Sequence, residues 1–213
     1  MNATLEVETA SPTAAATVEL SDAVTPIATH PALPAGLRRI VLTGFMGAGK
    51  TTAGKKLAAE LGWVFKDLDV YLEERTGTTI ADLFLRNGED GFRRMESAAL
   101  ASALGKKNVV IALGGGTPEL LTNRLLLEQT PATLTIFLDA PFDVLIERCR
   151  NQKDASVRPL LARLPEAEDR YHQRLPHYRR IARITVETSA LDAEHTVSSL
   201  LDSLTLQNTS TKE

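Results

Sequence analysis

The chain has 213 residues and a formal net charge of −3, which argues against a nucleic-acid-binding protein, whose domain is ordinarily strongly basic. Hydrophobic residues make up 43% of it, enough for one ordinary core, but no apolar run approaches the roughly 18 residues that a membrane crossing needs. Its single cysteine, Cys149, excludes an internal disulfide and fits a reducing cytoplasm.

Residues 1–37 read apart from the rest. They are rich in Ala, Thr, Pro and Ser, and their charges are Glu6, Glu8, Glu19 and Asp22, with no Lys or Arg. Transit peptides are Arg-rich and signal peptides need a basic start and an apolar centre; this stretch has neither pattern. It is predicted to be a disordered extension, too polar to offset its ordering entropy. Residues 206–213, LQNTSTKE, are expected to form a frayed tail.

Residues 38–205 alternate apolar runs with helical segments. RRIVLT is a short buried strand, and GKTTAGKKLAAELG a helix that Gly62 is placed to end. WVFKDLD is a second strand. Helical segments come next around Thr79–Arg86 and Gly91–Leu104, then NVVIAL as a third strand. A helix is expected to begin near Pro118, a good first-turn residue. ATLTIFLD is a fourth strand and PFDVLIERCR a helix. A polar, mobile stretch leads to a long helix near Glu166–Ile181, the strand RITVET, and a last helix with Val197, Leu200, Leu201 and Leu204 on one face. This alternation implies an α/β fold of three layers, a five-stranded parallel sheet between helices.

GFMGAGKT, Gly44–Thr51, matches G-x-x-x-x-G-K-[ST], with a strand before it and a helix after it. Glycines let backbone N–H groups turn onto phosphate oxygens, and the helix N-terminus adds a positive dipole end. Lys50 would meet the β and γ phosphates, and the Thr51 hydroxyl would coordinate Mg²⁺. DLD puts Asp67 and Asp69 at a strand end, where ligands of open α/β sheets sit. Strand alternation would aim both into one crevice, one to hold a metal through water and the other to accept a proton from an attacking hydroxyl; a helix cap at Asp69 is the competing reading. In ALGGGTPE, Gly114, Gly115 and Gly116 would let a ligand approach the backbone. On residue type alone, Arg93 and Arg94 read as a solvated helix face.

Taken together, GFMGAGKTT, DLDVYLEERTG, IADLFLRNGEDGFRRMES, LGGGTPE, VRPLL and QRLPHYRRIA resemble, in order, the shikimate kinase family. The resemblance covers roughly Arg38 to Leu204 and implies the P-loop kinase fold with a mobile lid. It implies ATP-dependent phosphorylation of the shikimate 3-hydroxyl with Mg²⁺, a step towards chorismate and the aromatic amino acids. By the resemblance, Gly47, Ala48, Gly49, Lys50, Thr51 and Thr52 hold the nucleotide, Thr51 and Asp67 the metal. Asp69, Arg93, Gly115 and Arg174 hold shikimate, the arginines by its carboxylate. Asp69 is also the candidate base, and Lys50 and the lid residue Arg158 complete the catalytic set. Glu96, three residues from Arg93, would orient its guanidinium, and Arg94 would point elsewhere. Some members carry an arginine near the adenine; VETSALDAE has none, so adenine contacts here would rely on backbone and on groups near Ser189 and Leu191. A cytoplasmic monomer without nucleic-acid or membrane partners is expected. A gluconate kinase of the same fold and a non-catalytic nucleotide-binding protein are the rival readings.

Overall fold

The computed structural model describes residues 33–151 and 163–210. Most of the expected N-terminal extension, the lid arginine Arg158 and the last three residues lie outside these. Five strands are described: β1 Arg39–Thr43, β2 Val64–Asp67, β3 Val109–Ala112, β4 Thr133–Asp139 and β5 Ile184–Glu187. They pair in the order β2-β3-β1-β4-β5, every pair parallel. The helices are α1 Lys50–Leu61, α2 Leu68–Thr76, α3 Ile80–Leu104, α4 Leu121–Gln129, α5 Phe142–Arg150, α6 Leu164–Ile181 and α7 Ala193–Ser210. α3 joins the two segments read from the sequence across a kink at Gly88. The helix expected from Pro118 is instead a single 3-10 turn, Thr117–Glu119, with α4 after it. α7 continues to Ser210, into the stretch expected to fray.

Strand alternation sorts side chains to the two faces of the sheet. Ile40 and Leu42 of β1 and Val110 of β3 join Leu57, Tyr178, Leu200 and Leu204 in the larger core. Val41, Val109 and Ile111 point the other way, into Leu68, Phe92, Leu100 and Leu104. Leu33 and Leu37 pack on the larger core. Residues buried this fully contribute about 1.5–3 kcal/mol each, which is what holds so short a set of strands together.

Because every strand runs the same way, all five carboxyl ends emerge on one edge. The loops after β1, β2 and β3 therefore open side by side, where ligands of such sheets bind.

Candidate active site

The loop after β1 is built from backbone conformations that favour glycine. Gly47 has φ of 79°, and a Cβ there would lie 2.2 Å from the carbonyl oxygen of Leu145 in α5 and 2.9 Å from Cys149 Sγ. α5 thus lies directly beneath the loop, and glycine is what lets the two come so close. α1 starts at Lys50, so its N-terminal dipole faces the loop. Lys50 Nζ donates to the carbonyl oxygens of Gly44 and Phe45 at 2.8 and 2.9 Å, which folds its ammonium across the loop. Beside it lies a cavity of about 310 Å³ lined by Gly47, Gly49, Thr52, Arg148, Leu191 and Thr196, among others. Arg148, which sequence reading passed over, donates to the carbonyl oxygens of Thr188, Ser189 and Leu191 and so shapes the loop after β5.

The aspartate pair differs from the strand-face expectation. β2 ends at Asp67, and Asp69 already lies in the first turn of α2. The helix cap is Asp67, not Asp69: its Oδ1 accepts from the Asp69 N–H at 3.1 Å. Its Oδ2 accepts from Thr51 Oγ1 at 2.7 Å. The one carboxylate therefore both caps α2 and faces the phosphate loop, because a carboxylate has four lone-pair positions. Asp69 is turned instead against Gly114, where a Cβ would come within 2.8 Å of its Oδ1. Burial, then the carboxylates of Asp67 and Glu96, push Asp69 up to about 6, while Lys50 pulls it down.

Across the cleft the arginines divide as expected. Arg93 is buried and Arg94 exposed. Arg93 Nη1 donates to Glu96 Oε2 at 2.8 Å, one helical turn away. Glu96 is almost fully buried, and its other oxygen accepts from Thr117 Oγ1 at 2.6 Å. Burial opposes the charge on Arg93, but Glu96 and Glu119 outweigh it and hold the guanidinium above its ordinary range. Arg174 of α6, also buried, points its Nε at Glu119 Oε1, 2.7 Å away. Gly116 lies against Arg93, since a Cβ there would be 2.6 Å from Nη2. Gly115 lies between the walls, with Arg174 Nη1 3.5 Å from where its Cβ would be.

Lys50, Thr51, Asp67, Asp69, Arg93, Gly115 and Arg174 thus gather around one cleft, whereas Arg158 falls outside the described residues. Besides Arg148, sequence reading missed two residues on the facing side of the cleft. Glu119 sits inside the stretch LGGGTPE without an assigned role. Tyr178 lies one helical turn beyond Arg174 and donates its hydroxyl to the Gly115 carbonyl at 2.5 Å; burial raises its pKa. The i, i+4 spacing from Arg174 was the signal for it.

A five-stranded parallel sheet in this order, with the glycine-rich loop and its lysine after the first strand, defines a P-loop kinase fold. The shikimate kinase family model matches residues 46–205. A shikimate kinase of Psychrobacter cryohalolentis is 40% identical over 171 residues, covering 79% of this chain and 89% of that protein. The crystal structure of shikimate kinase from Bacteroides thetaiotaomicron aligns with TM-score 0.72 at 37% identity, over 78% of this chain and 97% of that one. Shikimate kinase from Acinetobacter baumannii in complex with shikimate aligns with TM-score 0.70 at 34% identity, over 83% and 95%. The chain belongs to the shikimate kinase family.

Proposed function

We propose that this enzyme transfers the γ-phosphoryl group of ATP to the 3-hydroxyl of shikimate, giving shikimate 3-phosphate and ADP, with two arginines gripping the acceptor and the phosphate loop gripping the nucleotide. The observation that carries the residue assignment is the convergence of Arg93 and Arg174, from separate helices, on one carboxylate beside the phosphate loop. A pair of guanidinium forks suits the carboxylate of shikimate, and a relative at 34% identity is solved with shikimate bound.

The nucleotide phosphates lie along residues 47–52, with Lys50 swinging from its carbonyl partners onto the β and γ phosphates. Thr51 Oγ1 and Asp67 Oδ2 form a hard-oxygen pair that fits Mg²⁺, an ion that keeps several waters and shares the nucleotide phosphates. Bound there, Mg²⁺ would offset the negative charge of the β- and γ-phosphoryl groups. Asp69 orients the 3-hydroxyl and accepts its proton, and the Gly115 backbone positions the ring. Arg158 would reach the transferred group and offset its spreading charge. Catalysis is thus positioning plus electrostatics. The same reading carries a cytoplasmic location and a monomer, which fractionation and sedimentation test.

ADP release from Mg-ATP is the direct test, with shikimate, gluconate or no acceptor. Release that depends on shikimate supports the reading. Release with gluconate alone, or none from protein that still binds ATP, overturns it.

A further inference from the structure

Glu119 lies where the substrate carboxylate belongs. Its Oε2 accepts from Arg93 Nη2 and its Oε1 from Arg174 Nε, both at 2.7 Å. One carboxylate therefore bridges both arginines, one oxygen to each, as a bound carboxylate would. The arginine side chains are only 10% and 9% exposed, whereas that of Glu119 is 31% exposed and borders open space. Glu96 is differently placed: its side chain is 2% exposed and both oxygens are engaged, so it belongs to the frame. Charge balance sets the limit on what the cluster can hold. Arg93 and Arg174 already face Glu96 and Glu119, and the exposed Glu89 lies 3.6 Å from Arg93 Nη2, so a further carboxylate would add to an existing negative excess in a poorly hydrated place. The backbone of Glu119 is held, its N–H on the Gly116 carbonyl at 3.0 Å and its own carbonyl accepting from Arg124 Nη1 at 2.7 Å. The side chain is the part with room to move, towards solvent.

We propose that Glu119 is an internal competitor: it occupies the carboxylate subsite between Arg93 and Arg174 and swings out when a carboxylated substrate binds. This rests on the assignment of Arg93 and Arg174 to the substrate carboxylate. Its use is to keep two buried guanidinium groups compensated while the site is empty, since an unpaired buried charge is strongly unfavourable. Its consequence is a weakened apparent affinity, because only the fraction of molecules with a vacant clamp binds.

The test compares the full-length wild type with Glu119→Gln and Glu119→Ala in the ADP-release assay, using shikimate and its neutral methyl ester. Both variants should lower the KM for shikimate, by about tenfold if the clamp is vacant about a tenth of the time, with the larger change in KM, not kcat. The KM for the ester should not fall, because a neutral group does not compete for the arginines. The KM for ATP reports that the fold is intact. An unchanged or raised KM for shikimate would mean that Glu119 only braces the arginines, and an equal fall for the ester would mean that charge is not the cause; either overturns the proposal alone. A wild type that binds ATP but shows no shikimate-dependent release removes the functional reading, and the proposal with it.

Discussion

The phosphate-loop wall of the cleft is mostly backbone from one continuous stretch, whereas the facing wall is mostly side chains from α3, the Thr117–Glu119 turn and α6. The first is held by what glycine conformations allow: α5 packs so close under Gly47 that no side chain fits. The second is held by charge. Arg93, Glu96, Glu119 and Arg174 compensate one another where water is scarce. A backbone wall tolerates little change in shape; a charged wall tolerates little change in balance. Substitutions on the two walls should therefore separate kinetically, one acting on ATP and the other on the acceptor.

The largest effect is expected at Arg174→Ala. Losing one of the two forks should reduce kcat/KM for shikimate by about 3 kcal/mol, on the order of a hundredfold, with the KM for ATP spared. A matching rise in the ATP KM would break the division between the walls.

Asp69 stands between the walls and should give a pH signature. Its carboxyl is raised from 3.8 to about 6, chiefly by burial. The base role proposed for Asp69 requires the ionised carboxylate, so kcat/KM should fall about tenfold per pH unit below about 6. The sign for stability is the reverse. The unfolded carboxyl ionises near 3.8 and the folded one near 6, so folding is penalised as pH rises through that window, by up to about 3 kcal/mol above it. Asp69→Asn should therefore raise the melting temperature at pH 8 while losing turnover. A variant no more stable than the wild type at pH 8 would contradict the burial argument.

Gly47→Ala tests the backbone wall. The new methyl would meet the Leu145 carbonyl at 2.2 Å, at a φ of 79°. A loss of about 2 kcal/mol in denaturant unfolding is expected, with a raised ATP KM and an unchanged shikimate KM. The smallest effect should come from Tyr178→Phe. It removes the hydroxyl that holds the Gly115 carbonyl and should cost about 1 kcal/mol, seen as a several-fold rise in shikimate KM.

How legible each wall was in the sequence depends on how it is built. The phosphate loop is contiguous, so its spacing carries its geometry, and Gly44–Thr51 can be read as a unit. Arg93 and Glu96 lie one helical turn apart, and their pairing can be read from that. Asp67 and Asp69 do lie at the cleft, but not in the strand geometry expected of them. A short strand that turns at once into a helix replaces side-chain alternation with a cap, and two residues cannot reveal which period governs them. Glu119 was beyond reach. Its partners lie 26 and 55 positions away in the chain, and nothing in LGGGTPE distinguishes a surface glutamate from one aimed into a cleft.

By itself, then, the sequence determined the alternation of strands and helices, the phosphate loop and the chemical types around it, because periodicity and local spacing are properties of adjacent residues. Only the tertiary structure decided the strand order, the double duty of Asp67, the raised pKa of Asp69 and the carboxylate bridge of Glu119. These depend on burial and on distances between segments far apart in the chain, and such distances exist only once the sheet has brought the loops together at one edge.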